Sequence, residues 1–418
     1  MNDDELRTKL AAASKLRGAP KLKVFKGEKQ ASIPQGWGLV LNSDGKPEPC
    51  LHNAAVLMVQ AHEWGRRGLL SFDTFSSRVL VERARRLTEA DELEITKWFQ
   101  RTYNWKFSMT TVETAIRSVG FNNSFDALTE HVNRHTWDGV CRVDWFAEKY
   151  LGAKPTMHHR AAGRVLLLSM VARALYPGCK VDTMVILEGP QGIRKSTAVA
   201  ALGGPFFSEL LATAGSKEAN EQVEGAWVME MGELSGMDKA ELTAAKQFMS
   251  RTSDRFRRAY KKNVEDVPRR CVIVGTTNAH TYLRDETGGR RWLPIVCTWV
   301  ALELLKEDRD QLIAEAVHRV KAGEPWHIVD EGELAAAREA VDDRFDEDVW
   351  TARVLAYVAG RETVSVDEVL TSCLAVDTAH KQQKEQNRVA RILTRAGWKP
   401  GRRRNPVLGE SERCYVRT

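Results

Sequence analysis

The chain of 418 residues is 43% hydrophobic and 28% charged and carries a net charge of +6. This composition is typical of a globular protein, and the length predicts two to four domains. No apolar run approaches the roughly 20 residues that span a membrane, and the polar N-terminus MNDDELRTKL differs from a secretory signal. Seven dispersed cysteines without a C-x-x-C pair argue against a disulfide framework or a zinc site. We therefore expect a cytoplasmic protein that does not bind a membrane.

The first part of the chain is predicted to be mainly helical. Residues 1–36 are basic and poor in large apolar side chains, which predicts disorder. From residue 37 to 155, apolar residues recur at spacings of three and four, for example in EADELEITKWFQRTY, as they do in amphipathic helices. These residues are predicted to form a helical N-terminal domain.

Residues 156–300 have a different pattern, in which strands alternate with helices. Short apolar runs in TMVILEG, AWVMEMGEL and RRCVIVGTTN are typical of buried parallel strands. Asp238 is the expected N-cap of one intervening helix. This alternation predicts an α/β nucleotide-binding core. Residues 301–345 are predicted to be a helical connector.

Residues 346–418 are predicted to form three helices and a basic hairpin, the order of a winged helix-turn-helix. From Lys381 to Thr418 there are eleven Lys or Arg residues and three Glu, a net charge of +8 that leaves −2 for the rest of the chain. Such a segment favours an anionic partner, most simply DNA; a solvated tail and protein contacts are the alternatives. The candidate contacts on the third helix and the hairpin are Lys384, Arg388, Arg391, Arg395, Arg402, Arg403 and Arg404.

A loop that resembles a phosphate-binding loop follows the first apolar strand. In EGPQGIRKST, Gly189, Lys195 and Ser196 match G-x-x-x-x-G-K-[ST], but Arg194 occupies the place of the second glycine. Such a loop binds phosphate through backbone N–H groups, its lysine reaches the β- and γ-phosphates, and its hydroxyl binds Mg²⁺. Arg194 is either a steric cost or a second cation beside the phosphates. The predicted ATP-binding residues are Gly189, Gly192, Arg194, Lys195, Ser196 and Thr197.

Acidic and polar residues follow the next two strands. Glu230 is predicted to bind Mg²⁺ together with Ser196, and Glu233 to activate water, although the two glutamates could exchange roles. Asn278 ends the third strand and can reach the attacking water. Arg290 and Arg291 follow a glycine pair and can stabilise a transferring phosphate, often that of an adjacent subunit.

A predicted β-hairpin with a basic tip lies between the acidic strand and Asn278. It corresponds to RFRRAYKKNVEDVP, and it turns at Lys261 and Lys262. We expect the tip to bind a nucleic-acid backbone through these lysines and Arg258.

These segments, in this order, resemble the superfamily 3 helicase branch of the AAA+ ATPases, and most closely the virulence-associated protein E family of phages and genomic islands. The resemblance rests on LEGPQGIRKST, WVMEMGEL, FMSRTSDRFRRAYKKNVEDVPRRCVIVGTTN and LRDETGGRRW, and it covers roughly Lys46 to Val296. It implies a P-loop AAA+ core and ATP-driven movement on DNA. It also implies a ring, with a hexamer favoured, acting in replication of mobile DNA in the cytoplasm of a bacterial host.

In that family, the positions matching Lys195 and Ser196 bind nucleotide and metal, and those matching Glu230 and Glu233 act on metal and water. Asn278 matches the sensor, and Arg290 or Arg291 matches the arginine finger that acts across the subunit interface. Lys261 and Lys262 match the hairpin tip that contacts DNA. Members normally carry glycine where this chain has Arg194, a departure that bears on the catalytic rate more than on the fold.

Three functional hypotheses remain open from the sequence. The first is a DNA-stimulated ATPase that acts as a helicase or translocase. The second is a DNA-binding initiator or loader with a weak ATPase, which Arg194 favours. The third is an ATPase of phage defence.

Overall fold

The computed structural model describes residues 36–60, 69–256, 263–283, 291–342, 344, 349–377, 382–404 and 411–417. They belong to two compact units, Met1–Glu130 and His131–Thr418. The predicted disorder of residues 1–36 falls almost wholly outside the described residues. Within these ranges, no helix combines the length and the apolar character needed to cross a membrane.

The secondary structure elements are numbered in chain order. The helices are α1 (Leu51–Gln60), α2 (Glu89–Tyr103), α3 (Met109–Asn122), α4 (Ala127–Val132), α5 (Phe146–Leu151), α6 (Met157–Leu175), α7 (Lys195–Gly203), α8 (Lys217–Gln222), α9 (Lys239–Met249), α10 (Leu302–Lys321), α11 (Glu331–Asp342), α12 (Thr351–Val358), α13 (Val366–Glu368) and α14 (Gln383–Arg395). The strands are β1 (Leu70–Asp73), β2 (Arg78–Val81), β3 (Arg85–Arg86), β4 (Ser124–Phe125), β5 (Met184–Glu188), β6 (Phe207–Glu209), β7 (Val228–Met231), β8 (Ser253–Phe256), β9 (Glu265–Pro268), β10 (Val272–Thr277), β11 (Trp292–Val296), β12 (Thr363–Val364), β13 (Trp398–Arg404) and β14 (Ser411–Arg417).

The first unit combines helices with a small sheet. The sheet has the order β3-β2-β1-β4; α3 packs on β1 and β2, and α1 packs on α3, around a core that includes Leu57, Leu70 and Ile116. The predicted helix EADELEITKWFQRTY is confirmed as α2, which begins at a capping box of Thr88 and Asp91. The sheet was not predicted because its strands are two to four residues long, too short for an alternating pattern to be recognised.

The second unit contains a five-stranded sheet in the order β11-β5-β10-β7-β6, in which every neighbouring pair is parallel. The three predicted buried strands are confirmed as β5, β7 and β10. The predicted N-cap Asp238 accepts a hydrogen bond from the backbone N–H of Glu241 at the start of α9. Because the strands are parallel, their carboxyl ends meet at one edge, where α/β sheets commonly bind ligands.

The two units divide between Glu130 and His131, whereas the predicted N-terminal domain extends to residue 155. The turn Trp137-Asp138-Gly139 explains the difference, because it packs on α10 of the second unit. The backbone N–H of Asp138 donates to Gln311, and those of Arg142 and Val143 donate to the buried Glu315 carboxylate. The segment after Val132 therefore belongs with the second unit, in which α10 packs against α6 and α7.

The predicted hairpin is confirmed at its base, where β8 and β9 pair antiparallel. The guanidinium of Arg269, directly after β9, forms a buried ion pair with Asp254 of β8, and its Nε donates to Asp254 Oδ2 at 2.7 Å. Buried Arg173 of α6 donates to the carbonyl oxygens of Arg251 and Arg269. The base of the hairpin is thus fixed to α6. Its tip lies outside the described residues.

The C-terminal segment contains the three predicted helices. They are α12, α13, which continues as a π-helical turn through Cys373, and α14. A three-stranded sheet of order β12-β14-β13 completes the segment. Val389, Ile392 and Leu393 of α14 are buried in a core with Trp398, as their spacing predicts.

We expect His158 to make stability depend on pH. Its side chain is 5% exposed, and burial lowers its pKa to about 4 while Nε2 bonds to the carbonyl oxygen of Pro294. Between this pKa and the unfolded value of roughly 6.5, the unfolded chain binds more protons, so stability falls as the pH falls. From pH 7.5 to pH 5, wild type should lose about 2 kcal/mol more than His158→Gln in urea unfolding. Equal losses would contradict this assignment.

Candidate functional site

A cleft of about 820 Å³ lies at the carboxyl ends of β5, β7 and β10. Its size is within the range of small-molecule sites. It brings together most of the predicted nucleotide-site residues, although these are far apart in the chain. The residues that line it are Gln191, Gly192, Arg194, Lys195, Ser196, Thr197, Glu209, Leu210, Leu211, Glu230, Gly232, Glu233, Gly236, Thr276, Thr277 and Asn278.

The loop between β5 and α7 presents unpaired backbone donors. Gly189 begins it with φ +150°, where a Cβ atom would lie 2.3 Å from the carbonyl oxygen of Cys297, so only glycine fits. Within the described part of the chain, no acceptor binds the N–H groups of residues 191–194. Such groups at a helix N-terminus form an anion-binding site.

Lys195, the first residue of α7, is folded back over this loop. Its Nζ donates to the carbonyl oxygens of Gly189 at 2.8 Å and Pro190 at 2.9 Å, and to Asn278 Oδ1 at 2.9 Å. The side chain is buried, and burial lowers the pKa of its ammonium group. The start of α7 and the residue that follows β10 therefore meet at one ammonium group. The sensor role of Asn278 stays a prediction.

Ser196 and Glu230 are also in direct contact. Ser196 Oγ donates to Glu230 Oε1 at 2.5 Å, and Thr276 Oγ1 of β10 donates to the same oxygen at 2.6 Å. Glu230 is buried at the end of β7. One hydroxyl and one carboxylate side by side offer the oxygen ligands that Mg²⁺ prefers. Thr276 was not predicted, and its position on the strand beside β7 is what brings it here.

The remaining predicted catalytic residues are placed differently. Glu233 is exposed and lines the cleft. Arg291 directly precedes β11 and is not among the residues lining the cleft; its Nε is buried and, within the described chain, has no hydrogen-bond partner. Arg290 lies outside the described residues. The roles assigned to these residues stay predictions.

A family model for the virulence-associated protein E-like domain matches residues 132–346, which is just over half of the chain. The chain belongs to this family. The match covers the parallel sheet, the cleft and both helices that follow the sheet. No curated protein matches the chain.

The virulence-associated protein E-like chain also matches solved structures at low identity. One is the apo structure of the NrS-1 C-terminal region (residues 305–718), at 11% identity and a TM-score of 0.45, covering 84% of this chain and 96% of that one. Another, an A-form apo structure of the same region, has 11% identity and a TM-score of 0.44, covering 89% of this chain and all of that one.

In this virulence-associated protein E-like chain, Arg194 has a strained backbone. Its φ of +71° and ψ of 33° lie in the left-handed region, which glycine adopts without cost. Glu233, on the other side of the cleft, has φ +54°. The Arg194 side chain is exposed, and its guanidinium has no partner among the described residues. The arginine therefore fits the loop at an energetic cost and offers a free cation to the cleft.

We expect Arg194→Gly to raise the free energy of unfolding by about 0.5–1 kcal/mol. Relief of the left-handed conformation gains roughly 1–2 kcal/mol, and the greater freedom of glycine in the unfolded chain offsets part of it. Chemical denaturation measures the change. The matched control is Arg338→Gly on the exposed face of α11, which should lose about 1 kcal/mol. A loss of stability in Arg194→Gly would contradict the strain.

A buried polar cluster that the sequence did not predict lies at the end of β5, directly before the phosphate loop. Glu188, the last residue of β5, accepts two hydrogen bonds from Arg344, to Oε1 at 2.8 Å and Oε2 at 2.9 Å, and one from the Tyr282 hydroxyl. The carbonyl oxygen of Arg344 accepts from the N–H groups of Tyr282 and Leu283. Arg344 thereby ties the segment after α11 both to β5 and to the loop after Asn278.

Four of the predicted DNA-contacting residues in the C-terminal segment have described side chains, two of them exposed and two in contact with other side chains. Arg395 and Arg402 are exposed. Arg388 stacks on the Trp350 ring at 3.7 Å, and Arg403 bonds to Glu368 and Glu412. The side chains of Lys384, Arg391 and Arg404 lie outside the described part of the chain. So do the whole residues Arg258, Lys261 and Lys262 of the predicted hairpin tip.

Proposed function

We propose that this chain is an ATP-dependent DNA helicase or translocase that acts in replication of a phage or mobile genetic element, as a ring oligomer of six subunits. The observation that carries the proposal is the composition of the cleft. Four backbone N–H groups without an acceptor among the described residues, the Lys195 ammonium group and the Ser196–Glu230 contact converge at the carboxyl ends of three parallel strands. This combination of donors and oxygen ligands matches the needs of a nucleoside triphosphate with Mg²⁺.

The residues have distinct roles in this proposal. The N–H groups of the loop and Nζ of Lys195 bind the β- and γ-phosphates, and the carbonyl oxygens that now accept from Lys195 are released. Ser196 and Glu230 would hold Mg²⁺, which would supply positive charge to offset the charge that develops on the phosphates. Asn278 orients the attacking water, and Glu233 withdraws its proton. Thr276 keeps the Glu230 carboxylate in place through its hydrogen bond.

The position of Arg291 supports a subunit assembly. It does not line the cleft of its own chain, and in this proposal it stabilises the transferring phosphate of a neighbouring subunit together with Arg290. Each site would then be complete only when two chains associate. A ring satisfies this requirement for every subunit.

Two basic elements support DNA as the partner. The hairpin of β8 and β9 is fixed at its base by the Arg269–Asp254 pair. The sequence between these two strands carries Arg258, Lys261 and Lys262, which would contact the DNA backbone. The C-terminal segment has three helices and a three-stranded sheet, the elements expected of a winged helix-turn-helix, and its residues 381–418 carry a net charge of +8. Both would contact phosphates of the DNA backbone.

The alternative is a DNA-binding initiator or loader with a weak ATPase. The strained backbone of Arg194 favours it, because a bulky residue in the loop can hold the phosphates away from their productive position.

Displacement of streptavidin from end-biotinylated single-stranded DNA distinguishes the two functions. We expect wild type to displace streptavidin from one DNA end with ATP and Mg²⁺, but not with a non-hydrolysable analogue. DNA binding without displacement from either end would contradict the translocase and support the initiator.

A further inference from the structure

Two arginines lie directly opposite each other on the C-terminal hairpin. Strands β13 and β14 pair antiparallel in a register that sets Arg402 against Arg413. Directly opposed residues of an antiparallel pair project from the same face of the sheet. Both side chains are exposed, and neither has a hydrogen-bond or ionic partner within the described residues. Like charges in this position repel each other, and a bound anion would offset this cost.

The adjacent position has the opposite arrangement. Arg403 is set against Glu412, to which its Nε donates at 2.6 Å, and its Nη2 donates to Glu368 of α13 at 2.7 Å. Since successive residues of a strand face opposite sides, this ion-pair network is on the other face from Arg402 and Arg413. Arg403 therefore anchors the hairpin to α13, and its charge is already compensated.

We propose that Arg402 and Arg413 form one phosphodiester-binding site, in which the two guanidinium groups bind the sugar-phosphate backbone of DNA. The proposal rests on the proposed function for its DNA partner. It replaces the predicted contact through the consecutive residues Arg402–Arg404 by a contact through one arginine of β13 and one of β14. Guanidinium groups match phosphate oxygens through paired N–H donors. The anchored neighbour Arg403 fixes the hairpin so that the pair is presented in one orientation.

The test is the salt dependence of duplex DNA binding by the full chain, measured by fluorescence anisotropy. Each phosphate contact contributes about 0.9 to the slope of log K against log [salt]. Arg402→Gln and Arg413→Gln should each weaken binding, and the double variant, which removes the one phosphate contact, should lower the magnitude of the slope by about 1. The matched control is Lys399→Gln, the same charge change on an exposed residue of the same strand but the opposite face, which should leave the slope unchanged.

Two outcomes would overturn the site. One is an unchanged slope in the double variant when its thermal unfolding matches wild type. The other is an equal decrease in Lys399→Gln, which would indicate diffuse charge rather than a defined pair. If wild type binds DNA and hydrolyses ATP while the double variant keeps its slope, only this inference fails. If wild type does not bind DNA, the proposed function fails with it.

Discussion

Lys195→Ala is expected to lower the rate of ATP hydrolysis by roughly 10²-fold or more, because it removes a preorganised cation at the point where phosphate charge develops. The contacts of the Lys195 ammonium group explain why the loss of this one group should have a large effect on the rate. Nζ of Lys195 lies within hydrogen-bond distance of two loop carbonyl oxygens and of Asn278, so it joins the phosphate loop to the neighbouring strand. Steady-state phosphate release at saturating ATP and Mg²⁺ measures the change.

The control is Lys217→Ala, which removes the same charge from a side chain that is 72% exposed on α8. It should hydrolyse ATP at the wild-type rate. A Lys195→Ala variant that folds like wild type and keeps more than about a tenth of the wild-type rate would contradict the role of the loop.

Arg344→Ala is expected to lower the free energy of unfolding by roughly 3–5 kcal/mol, because it leaves the Glu188 carboxylate buried without its ionic partner. Both side chains are almost fully buried, at 6% and 4% exposure. The variant also frees the segment after α11 from the end of β5, so the phosphate loop that begins at Gly189 loses a support. Urea unfolding and ATP hydrolysis measure the two consequences.

A double replacement separates the charge from the packing. Glu188→Met with Arg344→Met fills a similar volume and buries no charge, so it should recover most of the stability that Arg344→Ala loses. If the double variant is as unstable as Arg344→Ala, the cost is not that of an unpaired buried charge. If Arg344→Ala is as stable as wild type, the buried pair does not hold the segment.

The parts of the fold that the sequence predicts are those with a strong local signal. The strands β5, β7 and β10 are continuous apolar runs, and α2 and α9 have both periodicity and caps, so their positions follow from the residues alone. Of the site, Lys195, Ser196, Glu230 and Asn278 were predicted from motif and order, and they converge on one cleft.

The rest depends on tertiary contacts that no local pattern encodes. Glu188 and Arg344 are separated by 156 positions, and their pairing follows only from the folded sheet. Thr276 reaches Glu230 because β10 lies beside β7. The Trp137-Asp138-Gly139 turn belongs to the second unit because of its contacts with α10. The sequence does not distinguish Arg403 from Arg402. In the folded hairpin the two side chains face opposite sides of the sheet, and only Arg403 is paired with Glu412.

The rate of ATP hydrolysis by purified wild-type protein, with and without single-stranded DNA, tests the central claim most directly. We predict Mg²⁺-dependent hydrolysis that rises on DNA, and none of this increase in Lys195→Ala. Arg194→Gly should be measured beside them. If wild type hydrolyses ATP no faster than Lys195→Ala while Arg194→Gly does so on DNA, the motor function is contradicted, and the chain is a DNA binder in which the strained arginine blocks turnover.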